Sequence, residues 1–139
     1  MEASLLDTDI LLEILKARNA TVVARVTAYK SEFSQLSISV ITVMEIVQGF
    51  QKVKQENEIA KFLAAMRTSH ILIFDQACAE KAGRIYGDLE RVGQRIGRAD
   101  AMIAATALQN NLTLVTGNTE HYQRIQSLGY PLKLDNWRQ

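Results

Sequence analysis

The chain has 139 residues, of which 47% are hydrophobic and 22% are charged, and its formal net charge is +1. This length and balance predict one globular domain with a core of its own. The near-zero net charge excludes a protein that binds polyanions over its whole surface, so any affinity for nucleic acid must come from a local basic patch.

Cysteine content and hydropathy exclude further classes of protein. The single cysteine, Cys78, excludes an internal disulfide and a cysteine-rich zinc site. No stretch approaches the roughly 20 apolar residues of a membrane helix, and acids at positions 7 and 9 interrupt the apolar N-terminal stretch, unlike a secretory signal. We therefore expect a cytoplasmic protein without membrane association, and a single domain over residues 1–139.

Short apolar segments alternate with helical patterns along the whole chain. Strands are predicted at 4–7, 36–40, 70–74, 112–115 and 131–134, and helices at about 10–15, 21–33, 42–54, 56–66, 76–92, 99–109 and 120–127. Trp137 follows the last strand and is expected to cover a sheet edge or an interface. The alternation predicts an α/β domain with a parallel sheet, whose site lies beyond the carboxyl ends of the strands.

The first predicted strand ends in Asp7, which Thr8 and Asp9 follow. A carboxylate at the end of a buried strand is costly unless it is paired, hydrogen-bonded or bound to a metal. Asp is also a favoured helix N-cap, so both interpretations of Asp7 stay open. Thr8 is able to offer its hydroxyl to a metal-held water or to Asp7, whereas Asp9 is expected to be a first-turn helix acid.

Glu45 stands three residues after Thr42. The pattern Thr-x-x-Glu predicts a capping box, with the helix beginning at Thr42 and Glu45 serving only its N-terminus. A site is the alternative, because Gly49 lies one turn later on the same face as Glu45 and leaves space for a substrate.

Three further polar residues are candidates for the same site. Asp100 opens the alanine-rich helix and has apolar neighbours three and four residues on, so it heads the apolar face. An acid pointed inward needs a charge partner, such as a cation shared with Asp7 and Glu45. Asn118 and Thr116 follow a predicted strand, and their oxygens suit a metal or its water. A plain turn explains Gly-Asn equally well.

Four arginines form the candidate basic patch. Their spacing of seven, four and three residues places them on one helical face if the helix is continuous; they are Arg84, Arg91, Arg95 and Arg98. Gly93 and Gly97 interrupt that stretch, and Asp88 and Glu90 lie nearby. Contact with RNA phosphates and a merely solvated face are both open interpretations.

Taken together, four segments resemble the PIN-domain ribonucleases, most closely the VapC-type toxins of toxin–antitoxin pairs. The segments occur in the family's order over nearly the whole chain and contain Asp7-Thr8-Asp9, Thr42 to Gly49 around Glu45, Gly97-Arg98-Ala99-Asp100, and Thr116-Gly117-Asn118.

The resemblance implies a three-layer α/β/α domain with a central parallel sheet flanked by helices. It implies a Mg²⁺- or Mn²⁺-dependent endoribonuclease that cleaves single-stranded or structured RNA (tRNA, rRNA or mRNA) by activated-water attack on a phosphodiester. The implied partners are a cognate VapB-type antitoxin that blocks the site and a second copy in a homodimer.

The resemblance also assigns roles to residues. Asp7, Glu45 and Asp100 carry over as the acidic triad, with the metal on Asp7 and Asp100 and with Glu45 orienting or deprotonating the water. Asn118 occupies a fourth position that often holds an acid, which weakens the case for a second metal. His121-Tyr122 stands where the family usually has Asp-Phe, and we interpret His121 as a structural or substrate-contacting residue.

Two other functions compete with the nuclease. Asp7-Thr8-Asp9 also resembles the Asp-x-Asp opening of haloacid-dehalogenase-type phosphatases, whose first Asp is a nucleophile. That family needs a Gly-Asp pair after a strand, and Gly87-Asp88 lies instead in a predicted helix. The second alternative is a degenerate PIN domain that only binds RNA or protein; Asn118 favours it, and the intact acids oppose it.

Overall fold

The computed structural model describes residues 1–139 and contains five short strands, seven α-helices and one 3-10 turn (Met66–Thr68). The strands are β1 (Ser4–Leu6), β2 (Ser37–Ser39), β3 (His70–Leu72), β4 (Thr113–Val115) and β5 (Leu134–Asp135). The helices are α1 (Thr8–Lys16), α2 (Ala20–Phe33), α3 (Val40–Lys52), α4 (Glu56–Ala65), α5 (Gln76–Arg91), α6 (Arg98–Gln109) and α7 (Thr119–Ser127). The predicted order of elements is confirmed, although every strand is shorter than predicted.

All five strands run parallel, in the spatial order β3-β2-β1-β4-β5. The central strand β1 therefore has β2 and β4 as neighbours, and Leu6 pairs with Ile38 on one side and with Val115 on the other. The last predicted strand is confirmed at an edge of the sheet, where β5 pairs only with β4. This order brings the carboxyl ends of β1, β2 and β4 together.

Helices cover both faces of the sheet, because successive strand residues point to opposite sides. Leu5 and Leu114 pack with the buried side chains of α5, α6 and α7. Their neighbours Leu6 and Val115 pack with those of α1, α2, α3 and α4. The predicted three-layer α/β/α architecture is thereby confirmed. None of the helices combines the length and apolarity that crossing a membrane requires.

Trp137 does not cover a sheet edge or an interface, as the sequence suggested. Its side chain is fully buried in the core between the sheet and helices α1–α4, with its ring centroid 5.5 Å from that of Tyr29. The expectation was wrong because the chain turns back after β5 and inserts the indole into the core. The end of the chain is thus anchored on the same side of the sheet as α1.

Candidate active site

Asp7 lies just beyond the carboxyl end of β1 and caps α1. Its backbone N–H donates to the Val115 carbonyl at 2.9 Å, which extends the pairing with β4. Its carboxylate accepts the Thr8 backbone N–H at 2.9 Å through Oδ1 and the Thr116 hydroxyl at 2.8 Å through Oδ2. The N-cap interpretation is therefore confirmed, and the same carboxylate also joins β1 to the turn after β4.

Burial makes Asp7 unusual among the acids of this chain. Only 5% of the residue is exposed, and burial raises the pKa of its carboxyl from 3.8 to about 7. The negative charges of Asp9 and Asp100 contribute to this rise in pKa, and the Thr116 and Thr8 hydrogen bonds oppose it. None of the ion pairs in the structure includes Asp7. A buried carboxylate without a cationic side chain is a position that attracts a cation.

Glu45 faces α1 rather than the N-terminus of its own helix. The Thr8 hydroxyl donates to Glu45 Oε1 at 2.7 Å and lies 3.1 Å from the Thr42 hydroxyl oxygen. The predicted capping box is wrong, because Ser39 caps α3 by accepting the Ile41 N–H at 3.0 Å. Thr42 consequently lies inside the helix, and its side chain is buried.

This geometry also decides between the two predicted partners of the Thr8 hydroxyl. The hydroxyl contacts Glu45, whereas Asp7 receives only the backbone N–H of Thr8. Thr8 therefore connects the first and second segments of the acidic site. Gly49, one turn beyond Glu45, is exposed, and a Cβ there would meet no atom within 4 Å, so the predicted open space is present.

Asp100 lies in the first turn of α6 and contacts two residues of α7, Tyr122 and His121. The hydroxyl of Tyr122, whose side chain is fully buried, donates to Asp100 Oδ1 at 3.3 Å. Burial first, then the charges of Asp7 and Asp100, raise the pKa of Tyr122 well above its ordinary value. The phenol thus remains a proton donor beside both carboxylates.

Sequence reasoning missed this role of Tyr122. The available signal was a tyrosine at a position where the resemblance leads one to expect phenylalanine, because a buried tyrosine hydroxyl normally has a hydrogen-bond partner. In this chain the partner is one of the candidate metal-binding acids.

Asn118 lies at the rim of the site, with an exposed side chain. Its backbone N–H donates to the Thr116 hydroxyl oxygen at 3.0 Å, and its Nδ2 lies 3.3 Å from Nδ1 of His121. His121 Nδ1 is in turn 3.7 Å from Asp100 Oδ2. The fourth segment is thus brought to the acids through Thr116 and His121, with the Asn118 amide beside the imidazole.

The oxygen atoms of the acidic site could supply only part of the coordination sphere of a divalent cation. No group of three or more His, Cys, Asp or Glu side chains is gathered in a way that could hold a metal ion by itself. Asp7 and Asp100 nevertheless lie close enough for each to affect the same tyrosine, and Asp9 has a buried Oδ1 with no partner. Mg²⁺ is commonly bound through one or two carboxylates with the remaining positions taken by water and substrate, and the residues fit that mode.

The four arginines do not share one helical face, because the continuous helix on which that arrangement depended is not formed. Helix α5 ends at Arg91 because Gly93 adopts φ +68° and Gln94 N–H turns back to the Leu89 carbonyl at 2.8 Å. Arg84, Arg91 and Arg95 pair with Glu80, Asp88 and Glu90 respectively. Arg98 has no acidic partner and lies over the ring of Tyr86 at 5.2 Å.

The structure also removes the support for a phosphatase of the haloacid-dehalogenase type. Gly87 and Asp88 lie inside α5, and Asp88 accepts hydrogen bonds from Tyr130 at 2.7 Å and from Arg91 at 3.1 Å. They do not follow a strand, so they cannot supply the second acidic position which that chemistry requires at the sheet edge.

Comparison with known proteins agrees with this geometry. A family model described as PIN domain matches residues 4–126. The chain is 31% identical over 125 residues to the tRNA(fMet)-specific endonuclease VapC of Shigella flexneri, covering 89% of this chain and 92% of the relative. It is 30% identical over 125 residues to ribonuclease VapC1 of Methanocaldococcus jannaschii, covering 90% and 82%.

Solved structures give the same result. VapBC2 from Rickettsia felis, bound to a DNA fragment from its promoter, matches with a TM-score of 0.82 and 27% identity over 97% of this chain and 98% of the other. VapBC-1 from nontypeable Haemophilus influenzae matches with a TM-score of 0.82 and 26% identity over 99% of both chains. The chain therefore belongs to the PIN domain family, and within it to the VapC ribonucleases.

Proposed function

We propose that residues 1–139 form a single PIN domain that acts as a divalent-metal-dependent endoribonuclease toxin, held inactive by a VapB-type antitoxin. The observation that carries the proposal is the buried carboxylate of Asp7, which belongs to no ion pair and lies next to Asp100 at the carboxyl end of the central strand. Placing such a carboxylate there destabilises the folded chain, and a bound cation offsets the cost.

Each acid has a role that its surroundings support. Asp7 is held by one hydrogen bond on each carboxylate oxygen and Asp100 by the Tyr122 hydroxyl, so both carboxylates keep one orientation. Each carboxylate oxygen has more than one lone pair, so acceptor capacity remains for a metal. Asp7 and Asp100 would hold Mg²⁺ or Mn²⁺, which would supply a Lewis acid for activation of water and for stabilisation of negative charge on the phosphodiester.

Glu45 orients or deprotonates the attacking water in this proposal. Its Oε1 accepts the Thr8 hydroxyl, which leaves Oε2 able to accept a proton. Thr8 is thereby a positioning residue for Glu45, and Thr116 does the same for Asp7. Asn118 and His121 at the rim contact the substrate, and hydrolysis leaves a 5′-phosphate and a 3′-hydroxyl, as in the family the chain resembles.

Arg98 is the best supported of the four arginines as an RNA contact. It begins α6 two residues before Asp100 and has no acidic partner. The other three belong to exposed ion pairs, which contribute little free energy and are easily exchanged for phosphate contacts. We propose that Arg98 contacts phosphate next to the cleaved bond, and that Arg84, Arg91 and Arg95 contribute only to weak, salt-dependent binding.

The partner assignment follows from relatives. The structures of VapBC2 and VapBC-1 contain toxin and antitoxin together. We propose that this chain likewise forms a homodimer and binds a VapB-type antitoxin that covers the candidate active site around Asp7, Glu45 and Asp100. Purification of the chain alone and with the product of the adjacent reading frame, followed by RNA cleavage assays, tests both the partner and the inhibition.

The test of the proposed activity is cleavage of an RNA panel that includes initiator tRNA, rRNA fragments and mRNA. We expect cleavage with Mg²⁺ or Mn²⁺, none in EDTA, and none by Asp7→Asn, whose carboxamide retains the shape of the carboxylate but not its charge. Full cleavage by the Asp7→Asn protein would refute the site assignment.

A binding-only PIN domain is the second candidate. It is favoured by the neutral Asn118 and by the absence of any group of three acids that could hold a metal alone. It predicts RNA binding that neither requires a divalent ion nor leads to cleavage, so the same panel separates the two functions.

A further inference from the structure

The end of the chain, residues 136–139, is fixed against helices α1 and α2. Trp137 is fully buried and lies 5.5 Å from Tyr29 between ring centroids. Arg25, on α2, donates through Nη2 to the Gln139 backbone oxygen at 2.9 Å and lies 3.8 Å from Asp135. These contacts determine the position of Arg138, which lies between Trp137 and Gln139.

The Arg138 side chain extends from this segment to the candidate active site, where it contacts two acids of α1. Its Nη1 is 3.5 Å from Asp9 Oδ2, and its Nη2 is 3.4 Å from Glu13 Oε1, one turn further along α1. The guanidinium also lies directly against Gly117: a Cβ on Gly117 would be 2.7 Å from Arg138 Cζ and 2.8 Å from Asp9 Oδ2. Gly117 therefore leaves the room in which Arg138 and Asp9 meet.

Asp9 transmits this contact to the candidate active site. Its Oδ2 accepts the Gly117 N–H at 3.0 Å, on the turn whose Thr116 hydroxyl donates to Asp7 Oδ2 at 2.8 Å. The chain of contacts from Arg138 to Asp7 is continuous and passes only through Asp9, Gly117 and Thr116. Movement of the Asp9 carboxylate would release the Gly117 N–H and loosen the turn that holds Asp7.

Charge gives a second reason for a cation at this place. The Asp9 carboxylate is negatively charged and is connected to the Asp7 carboxylate through the Gly117 N–H and the Thr116 hydroxyl. Its Oδ1 is buried and has no hydrogen-bond partner. Arg138 is the one cationic side chain paired with Asp9, so it holds a carboxylate that would otherwise repel Asp7 with only a backbone N–H to restrain it.

We propose that Arg138 is a positioning residue of the nuclease site: through Asp9 it holds the Thr116–Asn118 turn against Asp7. The proposal rests on the proposed function for its consequence in catalysis, but the contact itself is independent of activity. Arg138 does not touch the reacting atoms, and its effect is on the geometry of the acids.

The experiment compares Arg138→Ala and Arg138→Lys with Arg25→Ala. Arg25 is a matched control, because it fixes the same C-terminal segment without contacting the catalytic edge. We expect Arg138→Ala to lower kcat for RNA cleavage about tenfold with KM within about twofold, since a positioning residue affects turnover rather than binding. Arg138→Lys should recover part of the loss, and Arg25→Ala should stay within about twofold of the original protein.

A second readout needs no activity. Amide hydrogen exchange at Gly117, measured by NMR in EDTA, should accelerate about fivefold or more in Arg138→Ala and remain unchanged in Arg25→Ala. Mn²⁺ binding, measured without RNA by calorimetry, should weaken in Arg138→Ala alone. If the original protein neither binds Mn²⁺ nor cleaves RNA while Gly117 exchange still responds, the proposed function fails and the contact stands.

Three results would overturn the inference. One is unchanged Gly117 exchange in Arg138→Ala. Another is a raised KM with unchanged kcat, which would make Arg138 an RNA contact. The third is an equal loss of kcat in the Arg25→Ala protein, which would show that docking of residues 136–139 as a whole, rather than the Arg138–Asp9 contact, maintains activity. An Asp9→Asn background gives an internal check, because the effect of Arg138→Ala should largely disappear there if Asp9 transmits it.

Discussion

Replacing Asp7 by Asn should stabilise the metal-free protein at alkaline pH. Raising the pKa of Asp7 from 3.8 to about 7 makes ionisation of the folded protein costlier by about 4 kcal/mol, at 1.36 kcal/mol per tenfold change. The variant exchanges the hydrogen bond from the Thr116 hydroxyl for a weaker contact, a loss of about 1 kcal/mol. We therefore expect a net gain of about 2–3 kcal/mol in the free energy of unfolding at pH 8.5 in EDTA.

The sign of the pH dependence follows from proton uptake. Between pH 3.8 and about 7 the folded protein retains the Asp7 proton that the unfolded chain has released. The stability of the original protein therefore falls as pH rises through this window, and the Asn variant lacks this fall. Below pH 4 both states are protonated, and the advantage of the variant should disappear.

Asp75 provides a control, because the free energy of unfolding should respond to its replacement in the opposite direction. It also caps a helix, α5, and accepts the Cys78 N–H at 2.9 Å. That hydrogen bond lowers the pKa of Asp75. Asp75→Asn should therefore destabilise the protein at neutral pH, and the deficit should close as pH falls through the folded-state pKa.

The assay is urea unfolding of the original protein, Asp7→Asn and Asp75→Asn from about pH 2.5 to 8.5 in EDTA, so that both carboxyls are titrated in the folded and unfolded states; it is repeated at neutral pH with Mg²⁺. Added Mg²⁺ should stabilise the original protein and not Asp7→Asn, because binding to the folded state alone adds to its stability. Parallel pH profiles for the original protein and Asp7→Asn in EDTA would refute the reasoning that burial opposes ionisation of Asp7.

Three further predictions concern neighbouring residues. Tyr122→Phe should lower the free energy of unfolding by about 1 kcal/mol and weaken Mn²⁺ binding, because Asp100 loses a donor; unchanged Mn²⁺ affinity in calorimetry would contradict this. Thr8→Val should lower turnover about tenfold with little change in RNA affinity, because Glu45 loses its orienting hydroxyl; a binding defect with normal turnover would argue otherwise. Arg98→Ala should reduce the salt dependence of RNA binding by about one phosphate contact, measured by filter binding against a variant of one ion-paired arginine.

Much of the fold could be read from local patterns. The order of strands and helices is confirmed because apolar periodicity reflects which face each segment buries, and that is a local property. The predicted limits of the helices and strands were less accurate where two residues could each cap the same helix. Ser39 rather than Thr42 caps α3, since the helix begins at the first position where β2 ceases to pair.

The condition for a shared arginine face, a continuous helix, is not met for a related reason. A spacing argument assumes a continuous helix, and Gly93 with a positive φ ends α5 after Arg91. The glycines at positions 93 and 97 already indicated in the sequence that the helix is interrupted. It did not contain the ion pairs with Glu80, Asp88 and Glu90, because side-chain partners on exposed surfaces are chosen by local geometry that only the folded chain has.

The sequence by itself determined the chemistry available to this protein: acids at Asp7, Glu45 and Asp100, hydroxyls beside them, and an α/β pattern that brings strand ends to one edge. The tertiary structure decided which groups meet. It directed Thr8 to Glu45, placed Tyr122 on Asp100 and brought Arg138 to Asp9. These contacts join positions up to 129 residues apart, as Asp9 and Arg138 are, and no local pattern encodes them, because they arise only when separate elements pack on one sheet.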